Sequence, residues 1–130
     1  RIFVAQMNQA TKQRKQANVI ETMELIGDVE GKNVVLVDDM VDTAGTLVKA
    51  AQLMKERGAV SVRAIATHPI LSGNAHERIE NSVLEELIVT DSIPLKQPSS
   101  KIKVLSCAEL FADVMHKVHH NEPISSKFIM

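Results

Sequence analysis

Tryptophan and tyrosine are absent from this 130-residue chain, and three phenylalanines are its entire aromatic content. Stacking platforms that hold unpaired bases are therefore not built here. Acidic and basic residues nearly cancel, 16 against 15, for a formal net charge of -1. The two signs are interspersed, so there is no broad basic surface for nucleic acid, and no nucleic-acid partner is expected. The single Cys107 cannot close an internal disulfide, which fits a reducing, cytoplasmic setting. No apolar run approaches the roughly 20 residues of a membrane-spanning helix, and no charged-then-apolar leader opens the chain. No membrane association is expected. The chain begins with Arg1 and reads as a piece of a longer protein. Neither a glycine-rich dinucleotide fingerprint nor a Walker phosphate loop occurs.

What is present is concentrated in one stretch, "VVLVDDMVDTAGT", from Val34 to Thr46. A valine-rich apolar run reads as a strand buried on both faces, here Asn33 to Val37, and a small-residue turn leading to a helix makes it half of a βαβ unit. Beyond the turn, Leu47, Ala50, Ala51 and Met54 have helical spacing, Thr46 is a competent cap, and Gly58 ends the helix. Further strands are expected at Ile2 to Met7, around Thr22 to Ile26, at Val60 to His68, within "LEELIVTDS" and at "IKVLS". A short helix runs from Ala75 to Asn81. Ser106 and Glu109 have the spacing of a capping box ahead of a helix striped by Leu110, Phe111, Val114, Met115 and Val118. Strands alternating with helices predict an α/β fold, a mostly parallel sheet flanked by helices. One domain spans 1–130. The segment "NQATKQRKQAN" is polar and without apolar period, so residues 8–16 read as an exposed, mobile loop.

In a parallel sheet, ligands lie at the carboxyl ends of the strands, where Asp38 to Thr46 falls. Asp42, Thr43, Ala44, Gly45 and Thr46 place small residues at a helix N-terminus, whose free amides and positive dipole end suit a phosphate monoester. Carboxylates beside a phosphate need donors to face, and the vicinal hydroxyls of a sugar would supply them to Asp38 and Asp39. Together these groups describe a ribose 5-phosphate. The bland alternative is that Asp38, Asp39 and Asp42 bond only to turn amides. His68, at a strand end, reads as a satisfied histidine. His116 and His120 have metal-pair spacing without a third ligand and read as surface residues with His119. No metal ligand is assigned to this chain.

The loop "VVLVDDMVDTAGT" resembles the phosphoribosyl diphosphate binding loop of type I phosphoribosyltransferase folds. With "KQRKQANV", "IGDVEGK", "THPILSGNAHERI" and "ISSKF", the chain is similar to the ribose-phosphate diphosphokinase family from about Lys12 to Phe128. The resemblance implies that Lys12 is catalytic with Arg14 as its partner on the mobile loop, and that Arg14, Asp38, Asp39 and Asp42 to Thr46 bind substrate. Gln13 stands where the family often has a second arginine. The implied reaction moves the diphosphoryl group of ATP to the anomeric hydroxyl of ribose 5-phosphate, giving phosphoribosyl diphosphate and AMP for nucleotide biosynthesis. Mg2+ is the implied cofactor, held mainly by residues outside this chain. A preceding domain would supply the adenine contacts, so the fold would be incomplete at its N-terminus and the piece alone inactive. The implied state is a homo-oligomer, a hexamer for the complete enzyme. Pro123 occupies a position where a serine commonly serves the family's regulatory nucleotide site, whereas Ser125 and Phe128 match. Two other readings remain: a non-catalytic regulatory or phosphoribosyl diphosphate-binding module of this fold, and a base phosphoribosyltransferase.

Overall fold

The computed structural model describes residues 1–7 and 27–127. Five strands and three helices follow in the order β1 (Ile2–Gln6), β2 (Asn33–Val41), α1 (Gly45–Glu56), β3 (Ser61–Pro69), α2 (Ala75–Glu80), β4 (Glu86–Thr90), β5 (Ile102–Leu105) and α3 (Ala108–His119), with a 3-10 turn at Ser125–Lys127. The strands form one sheet in sequential order, every neighbouring pair parallel. The fold is therefore the expected α/β class, with helices packed on a parallel sheet. The expected strand at Thr22 to Ile26, the loop at 8–16 and Phe128 lie outside the described residues.

Burial alternates along the strands. Val34 and Leu36 of β2, Val62, Ala64 and Ala66 of β3, and Leu87 and Val89 of β4 are all about 1% exposed or less. They share one core with Leu47, Ala50, Ala51 and Met54 of α1 and with Ala75 and Ile79 of α2. Each of the larger aliphatic side chains contributes about 1.5–3 kcal/mol there. The opposite face carries Val4 and Ile65, 61% and 41% exposed, so β2 is buried on one face and not on both. Among the described residues, the core lies on the face shared with α1 and α2.

Other boundaries shift for local reasons. β2 continues four residues past Val37, because Asp38, Met40 and Val41 keep their register with Ala66, His68 and Pro69 of β3. The first residue of α1 is Gly45, so the connecting turn shrinks to Asp42, Thr43 and Ala44. The cap position falls to Ala44, and Thr46 sits inside the first turn instead of capping it. Gly58, with φ +92°, follows the C-cap Arg57 and ends α1 as expected.

The apolar stripe of α3 is real, but none of its residues is buried. Leu110, Phe111, Met115 and Val118 are 51–69% exposed. Its Ser106–Glu109 capping box is replaced by a longer-range cap: Asp91 Oδ1 accepts the Cys107 N–H at 2.8 Å, and Oδ2 accepts the Ser106 hydroxyl at 2.6 Å. Ser106 Oγ in turn accepts the Ala108 N–H at 3.1 Å.

Candidate functional site

At the carboxyl end of β2 a cleft of about 520 Å³ is lined by Met7, Asp38, Met40, Val41, Leu47 and the whole of Asp42 to Thr46. A strand sends alternate side chains to opposite faces, which explains why Asp38 and Met40 line the cleft and Asp39 between them does not. Asp38 is held half-buried and its Oδ1 accepts the Asp39 N–H at 2.9 Å. Burial, followed by the neighbouring Asp39 side chain, raises its carboxyl above the ordinary aspartate value. Asp39 Oδ1 accepts the Met40 N–H at 2.8 Å. Both aspartates thus make the local amide contacts that a turn-stabilising carboxylate makes, and Asp38 alone of the two also faces the cleft.

The end of α1 nearest the cleft has an unusual cap. A helix N-terminus leaves its first amides without intrahelical partners, and a Ser, Thr, Asp or Asn at the cap usually satisfies one of them. Here the cap is Ala44, which makes no side-chain cap bond, and the first turn contains no acidic residue. Ala44 has φ 61° and ψ 3°, a left-handed conformation that costs a non-glycine residue about 1–2 kcal/mol. Such strain persists only where the surroundings enforce it.

Those surroundings are the residues after β3. The Val41 carbonyl accepts the Leu71 N–H at 3.0 Å, and the Asp42 carbonyl accepts the Ser72 N–H at 3.1 Å. The Thr43 carbonyl accepts Arg78 Nη1 at 2.9 Å. The Ser72 hydroxyl also donates to Asp42 Oδ1. Across a trans peptide the N–H points opposite to the carbonyl before it, and there is no cis bond among the described residues. Three carbonyls turned toward residues 71–78 therefore aim the amides of Asp42, Thr43 and Ala44 the other way. Among the described residues, the cleft is lined by Asp42, Thr43 and Ala44 and takes none of its lining from 71–78. Successive N–H groups gathered at a turn form a concavity for anions, and the α1 dipole adds to it.

A Cβ on Gly45 would meet only Arg78 Nη1 and Thr43 Oγ1, each at 3.8 Å. Nothing in the protein would clash with a side chain here, so the glycine is not required by packing, and Gly45 lines the cleft. Lys12 and Arg14 lie outside the described residues. His68, at the end of β3, is hydrogen-bonded, and His116, His119 and His120 are exposed, as expected from the sequence. His68 Nδ1 and Ser92 Oγ share a hydrogen bond at 2.8 Å, and Ser92 Oγ lies 3.1 Å from the Thr67 carbonyl. His116 and His120 stack with ring centroids 4.2 Å apart. Among the described residues no group of three His, Cys, Asp or Glu is placed to hold a metal ion, and no helix is long and apolar enough to cross a membrane.

Sequence reasoning missed Arg78 and Asp91. Each acts across a long sequence separation, 35 residues for Arg78 to Thr43 and 16 for Asp91 to Cys107, and neither leaves a local spacing signal.

The chain is similar to known proteins. Ribose-phosphate pyrophosphokinase of Wolinella succinogenes is 58% identical over 91% of this chain, and that of Campylobacter jejuni 57% over 91%. The same enzyme of Helicobacter pylori is 53% identical over 90%. The chain spans 38% of the length of the first two of these relatives and 37% of the third. The crystal structure of phosphoribosylpyrophosphate synthetase from Mycobacterium smegmatis superposes with a TM-score of 0.72 at 40% identity, covering 74% of this chain and 33% of that one. The sequence profile of the phosphoribosyl synthetase-associated domain matches residues 4–129, and the chain belongs to that family.

Proposed function

We propose that this chain is the ribose 5-phosphate-binding part of a ribose-phosphate diphosphokinase, forming one domain over residues 1–130 of a longer enzyme. One observation carries the reading: the N-terminus of α1 opens on a cleft with neither a side-chain cap nor an acidic residue in its first turn. A phosphate monoester is the ligand that such a terminus accommodates. The amides from Thr43 to Thr46 hold the 5-phosphate, with the hydroxyls of Thr43 and Thr46 as further donors. Asp38, on the cleft wall, accepts a hydrogen bond from a ribose hydroxyl. Asp39 and Asp42 complete the binding set named by the family resemblance, and Asp42 acts by shaping the turn through Ser72.

In the proposed reaction the anomeric oxygen of ribose 5-phosphate attacks the β-phosphorus of ATP. The new O–P bond forms as the bond from that phosphorus to the bridging oxygen breaks. AMP leaves with the electron pair, and the hydroxyl proton is released. Such a transfer depends on positioning and on neutralising developing charge. Lys12, with Arg14 as its partner, takes the second task by resemblance. Magnesium would arrive with ATP. The described residues offer it no ligand cluster, and its remaining ligands, like the adenine site, belong to another part of the enzyme. A cytoplasmic homo-oligomer, hexameric when complete, is the proposed setting.

The test is turnover by the full-length enzyme. ATP and ribose 5-phosphate give AMP and phosphoribosyl diphosphate, and Lys12→Ala lowers kcat about 100-fold while ribose 5-phosphate affinity stays within about threefold. Normal turnover by Lys12→Ala removes its catalytic role, and a full-length enzyme that forms no AMP in response to ribose 5-phosphate removes the reading as a whole.

A further inference from the structure

The three carbonyls that orient the turn are not held alike. Those of Val41 and Asp42 are held by backbone N–H groups, which almost any residue at 71 and 72 supplies. That of Thr43 is held by a side chain, the guanidinium of Arg78 on α2. The peptide in question joins Thr43 to Ala44, the residue strained at φ 61°. Rotating this peptide by about 180° changes ψ of Thr43 and φ of Ala44 together, and it carries Ala44 into the ordinary negative-φ region. The rotation relieves the left-handed strain. It also turns the Ala44 N–H, the cap amide of α1, away from the cleft.

Left to itself, the turn is drawn toward the rotated, non-binding form. The bond from a charged donor to the Thr43 carbonyl opposes this, and bonds of that kind are among the stronger ones. Arg78 is exposed, and its Nη1 lies behind the turn, 3.8 Å from the Cβ position of Gly45. We propose that Arg78 is a positioning residue for the anion site: it holds the Thr43–Ala44 peptide in its strained orientation, so that the Ala44 amide faces the 5-phosphate. This rests on the ribose 5-phosphate reading above for the identity of the ligand, but not for the geometry of the turn.

A full-length enzyme carrying Arg78→Ala, or Arg78→Met with its aliphatic stem kept, tests it. The KM for ribose 5-phosphate rises about tenfold, while kcat and the KM for ATP stay within about twofold. Glu77→Ala, on the same helix and away from the turn, changes none of these. The decisive variant is Arg78→Ala combined with Ala44→Gly. Glycine takes a positive φ without strain, so the double variant recovers most of the lost affinity. An unchanged KM in Arg78→Ala and Arg78→Met overturns the proposal. So does a loss that Ala44→Gly does not repair, since that outcome assigns Arg78 a direct charge contact with phosphate. Inorganic phosphate titrated against the same proteins, with the backbone amide resonance of position 44 as reporter, separates the two readings. If the enzyme does not use ribose 5-phosphate, the diphosphokinase reading fails, and weaker phosphate binding in Arg78→Ala that Ala44→Gly restores still supports the positioning role. Equal phosphate affinity in wild type and variant overturns it.

Discussion

Two helices of this molecule begin just past the carboxyl end of a strand in the same parallel sheet, α1 after β2 and α3 after β5, and they treat their N-termini oppositely. At α3 the protein supplies the anion: Asp91 accepts the Cys107 N–H and the Ser106 hydroxyl. Those bonds hold its carboxyl below the ordinary aspartate value of 3.8. At α1 no carboxylate enters the first turn, no side chain caps it, and the cap residue is a strained alanine. The helix bodies differ as well. α1 buries Leu47, Ala50, Ala51 and Met54, whereas α3 buries nothing. The terminus proposed as the anion site thus belongs to the helix held by its apolar face, and there the protein withholds its own cap. Where the apolar face has no partner among the described residues, the cap is instead supplied internally.

Making α1 resemble α3 gives the largest effect. Gly45→Asp adds a carboxylate at the first helical position, where a Cβ makes only ordinary contacts and Arg78 lies beside it. Ribose 5-phosphate affinity falls about 100-fold, because the new charge occupies and repels at the cradle. The unfolding midpoint in denaturant does not fall. Isothermal titration and denaturant melts on the same protein read the two quantities, and a loss of affinity that merely tracks a loss of stability breaks the comparison.

A smaller effect follows from Gly45→Ala. Its methyl group meets nothing closer than 3.8 Å within the protein, and alanine is the better helix former by up to about 1 kcal/mol. Stability holds or rises slightly, while ribose 5-phosphate binding weakens about tenfold because the ligand must approach that backbone. Titration of this variant distinguishes ligand crowding from damage to the fold.

The smallest effect on ligand binding comes from the other helix. Asp91→Ala leaves ribose 5-phosphate affinity unchanged but loosens the start of α3, visible as faster amide exchange at Cys107 and Ala108. The pH dependence has a definite sign. Asp91 titrates below 3.8 in the folded chain, so its contribution is complete above that value and is lost as pH falls through the lowered one. Glu80, held below 4.5 by the hydroxyls of Ser99 and Ser100, behaves the same way. Asp38, raised by burial, has the opposite sign, and its protonation on acidification favours the folded state. Acid melts of wild type and Asp91→Ala should differ above pH 3.8 and converge as the pH drops through the folded value. A difference that persists at lower pH contradicts the cap assignment.

The βαβ unit around the site was readable because its signals are local. The spacing of Leu47, Ala50, Ala51 and Met54 matches the buried face of α1, and Gly58 marks its end. The bounds of the turn are less legible: the apolar run ends at Val37, four residues short of the true end of β2 at Val41, and the cap role expected of Thr46 falls two residues earlier, to Ala44. Strand parity could have separated Asp38 from Asp39, but only once β2 was known to continue through both. Asp91 displaced the Ser106–Glu109 box because the loop after β4 brings a carboxylate to α3 from a distance. Arg78 was hidden for the same reason. For α3 the period was legible and the burial was not, since periodicity reports an apolar face without identifying what meets it.

The most direct measurement is a crystal structure of a full-length enzyme carrying this chain, soaked with ribose 5-phosphate alone. The phosphate should sit at the N-terminus of α1 within hydrogen-bond distance of amides from Thr43 to Thr46, with the Ala44 N–H among its donors and a ribose hydroxyl on Asp38. A phosphate bound elsewhere, or an α1 terminus that stays free of it at saturating ligand, would contradict the assignment of this turn as the anion site.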